Sequence, residues 1–124
     1  MKPAAIATLA YLATPYSRYP GGLEQAYIEA SKLAAGLIKS GLKIYSPIAH
    51  CHPIAINGGL DPLDHELWME QDRAMMEVCG ALIVAHMAGW ATSKGIDIEV
   101  KFFQGKKRPI FDLDPGTMKM VKRR

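Results

Sequence analysis

The sequence of 124 residues predicts a single three-layer α/β domain built on a parallel sheet of four to five strands. Short runs of consecutive apolar residues, typical of strands buried on both faces, alternate with longer segments whose apolar residues recur at helical spacing. Such alternation of strand and helix is the pattern of a parallel sheet with right-handed crossovers. A chain of this length can build a hydrophobic core without disulfides or bound metal to stabilise it. Cys51 and Cys79 are therefore expected to be reduced thiols.

The first half of the chain is predicted to hold two strands around one helix. Pro15 ends the first strand because proline has no backbone N–H to donate to a neighbouring strand. Gly41 ends the first helix as a C-terminal cap. Pro47 stops the second strand, and the prolines and paired glycines beyond it predict a loop. The predicted elements are a strand at 6–13, a helix at 23–40, a strand at 43–46 and a loop at 48–62.

The second half is predicted to hold two helices, each followed by a strand. Asp64 is a natural N-cap, and Gly80 ends the helix that it begins. Another helix starts at Thr92 or Ser93, and Gly105 ends it. The predicted elements are a helix from 64 to 78, a strand at 81–85, a loop at 86–91, a helix to about 104, a strand at 108–113 and a turn at 114–116.

The net charge of +3 comes from the end of the chain. Four of the 15 basic residues fall in the last six positions, and the remainder carries 11 basic against 12 acidic residues. The region from about 115 is therefore expected to be a solvated basic tail, and no nucleic-acid partner is predicted. The sequence has neither an apolar run of about 18 residues nor a leader cleavage site, which predicts a cytoplasmic protein without a membrane partner.

The predicted fold also indicates where a ligand binds. In open parallel sheets the site lies beyond the carboxyl ends of the strands, near the point where strand order reverses. Those ends fall at 14–18, 46–52, 86–93 and 112–114. The sequence contains neither a GxGxxG fingerprint nor a Walker P-loop, so no dinucleotide or other cofactor is predicted.

Small and hydroxyl residues at the start of the third helix favour binding of an anion or a sugar. The positive end of the helix dipole lies there, and a phosphate or sugar hydroxyl would be held well, although Thr92 or Ser93, taken alone, is more often a simple N-cap. Glu99 follows Ser93 by six residues and lies roughly 120° around the helix from it, within reach of the same cleft.

Asp72 and Glu99 are the candidate catalytic carboxylates. Two carboxylates flanking a sugar C1 are what glycoside cleavage requires, one as nucleophile and one to handle protons. The alternative for Asp72 is a solvated position on the surface of its helix, as its polar neighbours suggest.

Histidines near the second strand raise the possibility of zinc. His50 and His52 flank Cys51, and His65 follows. No CxxC or HExxH motif accompanies them, so no metal site is predicted. A histidine in a cleft loop is expected instead to hydrogen-bond a ligand or the backbone.

Four segments in this order resemble the nucleoside 2-deoxyribosyltransferase-like superfamily, and most closely its branch of short α/β proteins. The resemblance covers residues 11 to 113 and implies a flavodoxin-like (Rossmann-like) domain, a homodimer or larger, that cleaves the N-glycosidic bond of a deoxynucleoside or its 5′-monophosphate. The segments are Tyr11-Leu-Ala-Thr-Pro-Tyr-Ser17, Ser46-Pro-Ile-Ala-His50-Cys-His-Pro53, Trp68 with Asp72, and Gly89-Trp90 followed by Ser93-Lys-Gly95 and Glu99.

The resemblance also implies roles for individual residues. Glu99 matches the family nucleophile, Asp72 the acidic residue that assists proton transfer to the leaving base, and Tyr11 the strand tyrosine beside them. Ser93 and Gly95 match the segment that receives a 5′-phosphate. The other expected substrate contacts are Thr14, Pro15, Tyr16, Ser17, His50, Gly89 and Trp90. Two alternatives remain open, a non-catalytic nucleotide-binding or sensing module of the same fold and a metal-dependent hydrolase.

Overall fold

A computed structural model describes residues 6–124 of the chain. The expectation about a leader at residues 1–5 lies outside them. Five strands and four α-helices follow one another along the chain. They are β1 (Leu9–Ala13), α1 (Leu23–Lys39), β2 (Lys43–Tyr45), α2 (Pro47–Gly58), α3 (His65–Val78), β3 (Ala81–Ala85), α4 (Lys94–Gly105), β4 (Ile110–Asp114) and β5 (Lys119–Lys122), with a 3₁₀ turn at Trp90–Thr92 before α4.

The strands form one sheet in the order β2-β1-β3-β4-β5. The first four are parallel, and β5 pairs with β4 in the antiparallel direction. Tyr11 in the central strand β1 lies opposite Tyr45 on one side and Leu82 on the other. The predicted three-layer α/β, Rossmann-like fold is therefore confirmed, with strand order reversing between β1 and β3.

Consecutive residues of the central strands face opposite layers, as the period of two requires. Leu12 and Ile83 pack beneath α1, where Leu33 and Leu37 are buried. On the other face, Tyr11, Leu82 and Val84 pack with Met76 of α3 and Phe103 of α4. This double coverage explains why every residue of β3 is buried.

The loop predicted at 48–62 is wrong, because most of that segment is α2. Ser46 accepts a hydrogen bond from the Ala49 amide and so caps the helix, and Pro47 at the first position has no N–H to lose. Pro53 lies inside the helix and removes one helical bond. Burial of neighbouring side chains against α1 offsets this loss, and Gly59 ends the helix with a φ of 72°.

The solvated tail expected from residue 115 is also wrong in part. A turn at Asp114 leads into β5, which extends the sheet beside β4. The Arg123 guanidinium makes two hydrogen bonds of 2.8 and 2.9 Å to the carboxylate of Asp112, and His86 lies 2.8 Å from the same carboxylate. These contacts hold the pKa of Asp112 below its usual range, despite the opposing effect of burial. Arg123 therefore fastens the end of β5 to the sheet, while Lys119, Lys122 and Arg124 are exposed.

Other bounds differ by a few residues from those predicted. β1 begins at Leu9, β4 runs one residue further than expected, and Ser93 is the N-cap of α4. Cys51 and Cys79 are both buried free thiols. Across residues 6–124, no helix has the length and apolar character that crossing a membrane requires.

Replacing Arg123 by Ala is expected to lower the free energy of unfolding by about 1–2 kcal/mol, because two charge-assisted hydrogen bonds to Asp112 are lost. Arg124→Ala removes the same side chain one residue later and serves as the matched control, with a change within about 0.5 kcal/mol. Urea denaturation at pH 7 measures both. Equal stabilities for the two variants would contradict the role given to Arg123.

Candidate functional site

A cavity of about 500 Å³ opens at the carboxyl edge of the parallel strands. The loop after β1 supplies one wall, α2 and α3 supply two more, and the start of α4 supplies the fourth. It therefore lies where the fold class predicts a ligand site. The lining residues are Thr14, Tyr16, Ser17, Pro47, Ile48, Cys51, His52, Pro62, Leu63, His65, Trp68, Met69, Asp72, Ser93, Lys94, Gly95, Ile98 and Glu99.

Among the acidic residues that line this cavity, Glu99 is the most buried. It lies in the second turn of α4, and 6% of its surface is exposed. Burial raises the pKa of Glu99 to about 8, and the negative charge of Asp72 adds to the rise, whereas the nearby Tyr11 hydroxyl opposes it. The carboxyl group is therefore mostly protonated at neutral pH in the unliganded protein.

Asp72 brings a second carboxylate to the same cavity from α3. Burial raises its pKa to about 6, and a hydrogen bond from the Cys51 thiol, with Sγ 3.7 Å from Oδ1, partly opposes that effect. Asp72 is thus mainly ionised at neutral pH while Glu99 keeps its proton. Environments that separate the pKa values of two neighbouring acids are typical of acid–base sites.

Two buried hydroxyls near these acids lack hydrogen-bond partners within residues 6–124. Tyr11 Oη is fully buried next to Glu99 and outside the lining of the cavity, close enough to lower the pKa of Glu99 but not bonded to it at ordinary length. Thr14 Oγ1 lies at the end of β1, and Thr14 lines the cavity. An unpaired buried hydroxyl costs free energy, so Tyr11 Oη has unused capacity to bind an ionised Glu99, and Thr14 Oγ1 has unused capacity to bind a ligand.

The N-terminus of α4 forms the polar end of the cavity. Ser93 caps the helix by accepting a hydrogen bond from the Ile96 amide, and Lys94 and Gly95 line the cavity beside it. The helix dipole places positive charge there, and Lys94 is an exposed cation at the same helix end, which suits an anion.

His52 lies in the α2 wall between two oxygen atoms. Its Nδ1 is 2.6 Å from the Tyr16 hydroxyl, and its Nε2 is 3.0 Å from Oε1 of Glu24 on α1. The Tyr27 ring stacks on the imidazole with centroids 4.8 Å apart. His52 is therefore held in a fixed orientation, with both ring nitrogens engaged.

Seven of the residues singled out from the sequence line this cavity together, and five do not. Tyr11 lies behind Glu99, while the other four lie elsewhere on the described chain. The lining residues are Thr14, Tyr16, Ser17, Asp72, Ser93, Gly95 and Glu99; those outside the lining are Tyr11, Pro15, His50, Gly89 and Trp90.

Local packing explains why His50 and Trp90 lie outside. His50 is exposed on α2 and packs near Tyr45, because the helix turns it away from the face that carries Cys51 and His52. Trp90 stacks on His86 with ring centroids 3.8 Å apart, in the 3₁₀ turn after Gly89. The structure thus places both residues outside the lining of this cavity, and their contact with a substrate stays a prediction.

The sequence predicts the α3 wall only in part, through Trp68 and Asp72, and it does not predict the α2 wall, because that segment is expected to be a loop. The sequence analysis considers Cys51 and His52 as possible metal ligands and as part of a segment that carries the family resemblance, and it does not single out Leu63 or Met69. The signal that could have found the α2 wall is the Ser46-Pro47 pair, a helix start that places Cys51 and His52 on one buried face. Within the described residues, no group of three or more His, Cys, Asp or Glu side chains is arranged to hold a metal ion.

Replacing Asp72 by Asn is expected to lower the pKa of Glu99, because a neighbouring negative charge is removed while the shape of the side chain is kept. Titration of the carboxyl carbon of Glu99 by NMR measures the shift. Asp97→Asn, at an exposed position of the same helix, is the control and should leave that pKa unchanged. A Glu99 pKa that is insensitive to Asp72 would show that the two acids do not interact.

A comparison with protein-family models gives a match over most of the chain. The family model described as "Domain of unknown function (DUF1937)" matches residues 8–114, which include all four parallel strands and every residue that lines the cavity. A search of the curated proteins finds no match. Because the matched segment covers most of the chain, this protein belongs to the DUF1937 family.

Proposed function

We propose that this protein cleaves the N-glycosidic bond of a deoxynucleoside or its 5′-monophosphate, with Glu99 as the nucleophile. The observation that carries the proposal is the pairing of a buried acid, Glu99, with a half-buried acid, Asp72, whose pKa values are separated, in one cavity at the carboxyl edge of the sheet. Cleavage at a sugar C1 typically requires two carboxyl groups at one site, one as nucleophile and one to transfer protons. The resemblance to nucleoside 2-deoxyribosyltransferase-like proteins adds the substrate class.

In the first step, the Glu99 carboxylate attacks C1′ of the sugar. A C1′–O bond forms as the C1′–N bond breaks, and the electron pair of the broken bond stays with the base nitrogen. The transition state resembles an oxocarbenium ion, which a nearby negative charge stabilises. The unpaired hydroxyl of Tyr11 can donate to the ionised Glu99 carboxylate and orient it for attack.

In the second step, water resolves the glycosyl ester. Asp72 is ionised above a pH of about 6, so its carboxylate can accept a proton from the water that attacks C1′. The ester C1′–O bond then breaks, and its electron pair returns to Glu99. A second base in place of water would make the same chemistry a transfer reaction.

The remaining walls support a nucleoside-sized ligand. Thr14 Oγ1 has no partner within the described chain and can bond a sugar hydroxyl, and Trp68 and Met69 provide an apolar surface for a base. The positive end of α4 with Lys94 suits a 5′-phosphate. By the same resemblance, we propose a homodimer or a larger homo-oligomer in the cytoplasm.

Glu99→Gln is expected to abolish base release, by several orders of magnitude, because the amide keeps the shape but has no anion to attack C1′. Asp72→Asn should cost less, roughly 10²- to 10⁴-fold, as for a lost acid–base partner. A panel of deoxynucleosides and their monophosphates, assayed for free base, provides the measurement. Asp97→Asn removes a carboxylate from the exposed face of the same helix, and this control should retain full activity.

The pH dependence tests the identity of the nucleophile. If Glu99 attacks as a carboxylate, kcat/KM for base release should rise as the pH increases through about 8, where Glu99 loses its proton. If Glu99 instead supplied a proton, the same quantity should fall over that range. A kcat/KM that falls with increasing pH would therefore show that Glu99 is not the nucleophile.

A non-catalytic nucleotide-binding module is the second candidate. The observation that favours it is the pKa of Glu99, because a carboxyl group that is protonated at neutral pH can donate a hydrogen bond to a bound ligand without attacking it. Calorimetry would favour this function if it showed that a nucleoside monophosphate binds. The assay for free base should then detect no release, either by the wild-type protein or by Glu99→Gln.

A further inference from the structure

A cysteine thiol lines the cavity but has no part in the two-acid mechanism. Cys51 lies in the second turn of α2, and 8% of its surface is exposed. Its Sγ lies 3.7 Å from Oδ1 of Asp72 on α3. The two residues are 21 positions apart in the chain, and they meet because both helices border the cavity. The thiol therefore contacts the carboxylate that is expected to accept a proton from water.

The start of α2 fixes the position of this thiol. Ser46 caps the helix and Pro47 begins it, directly after Tyr45 at the end of β2. Cys51 and His52 then fall on the buried face of the helix. The Tyr45 hydroxyl lies near the sulfur and lowers the pKa of Cys51 by hydrogen bonding. The thiol is thus held between a tyrosine hydroxyl and a carboxylate.

The proton in this contact belongs to the sulfur. Burial raises the pKa of Cys51 to about 12, and the negative charge of Asp72 adds to the rise. The thiol therefore keeps its proton throughout the pH range in which Asp72 and Glu99 titrate. Because an ionised carboxylate only accepts hydrogen bonds, the S–H of Cys51 donates to Oδ1 of Asp72.

This hydrogen bond opposes the effect of burial on Asp72. Burial raises the pKa of Asp72 to about 6, and the donor on Cys51 limits the rise. The other titratable groups that face Asp72 within residues 6–124 are Glu99 from α4, Tyr11 from β1 and Tyr45 from β2. Of these groups, the Cys51 thiol alone is hydrogen-bonded to the carboxylate. Without that donor, a larger fraction of Asp72 would be protonated near neutral pH.

We propose that Cys51 is a positioning residue, whose S–H holds Asp72 as an anion through Oδ1 and leaves Oδ2 to accept the proton of the water that attacks C1′. In that step a water O–H bond breaks and its proton moves to Oδ2, while the water oxygen bonds to C1′ and the electron pair of the ester bond returns to Glu99. The S–H bond stays intact. A thiol is a weak donor, so it favours the anion without making Asp72 a poor base. This inference rests on the proposed function, because Asp72 serves the same reaction.

The test compares Cys51→Ala with Cys51→Ser, two variants that leave nearly the same space and differ in one hydroxyl donor. NMR titration of the carboxyl carbon of Asp72 measures its pKa in the unliganded protein, without reference to activity. We expect this pKa to rise in Cys51→Ala and to return to the wild-type value or below it in Cys51→Ser, with a difference of about one pH unit between the variants. An unchanged pKa in Cys51→Ala, or the same pKa in both variants, would overturn the inference.

Cys79→Ala is the matched control, because Cys79 is a buried free thiol outside the lining of this cavity. It should leave the pKa of Asp72 unchanged.

A kinetic measurement separates positioning from a structural role. Hydrolysis of the glycosyl ester, followed in pre-steady-state assays, should be slower in Cys51→Ala than in the wild-type protein at pH 6 and equal to it well above the pKa of Asp72, where the carboxylate is ionised in both proteins. A loss of the same size at every pH would indicate a structural role for Cys51 and would overturn the inference. Absence of base release by the wild-type protein would instead refute the proposed function, while the order of the Asp72 pKa values would still decide whether Cys51 holds that carboxylate.

Discussion

The burial of one carboxyl group beneath the sheet edge is the constraint on which the rest of the site depends. Glu99 is almost removed from solvent, and the free energy of ionising it there raises its pKa to about 8. A fold tolerates such a group only when neighbouring dipoles and hydroxyls can compensate its charge. Tyr11 supplies an unpaired hydroxyl close to it. Thr14 supplies a second unpaired hydroxyl, which lines the same cavity and can bind a ligand.

The topology of the sheet makes this arrangement possible. β1 and β3 are neighbours from which the chain departs in opposite directions, and the gap above their carboxyl ends is closed by helices rather than by strands. Three helices enter that gap from different sides. α4 brings Glu99, α3 brings Asp72, and α2 brings His52. Acids, a histidine and hydroxyls from distant parts of the chain thus meet without any one element having to carry them all.

Local signals in the sequence predicted the parts of the fold that depend on local chemistry. Asp64 and Ser93 cap the helices that were expected to start there, and the apolar run of β3 was placed correctly. The prediction of a loop at 48–62 was wrong because the helix-breaking effect of proline had to be weighed against tertiary packing. At α2 the helix start at Ser46 outweighs the cost of Pro53, and that outcome depends on burial against α1. The same limit applies to the site. Ser93 and Glu99 belong to one helix, so the sequence alone predicts that they lie close together. The partners of His52 are 28 and 36 residues away in the chain, and only the tertiary fold brings them to it.

The two outer strands have a consequence for how this protein can assemble with others. β2 at one edge is only three residues long, and β5 at the other edge begins and ends with lysine. Short and charged edge strands are poor templates for pairing with a strand from another chain. Growth of the sheet across molecules is therefore disfavoured on both sides, and a stable neighbour would have to be accommodated on the helical layers.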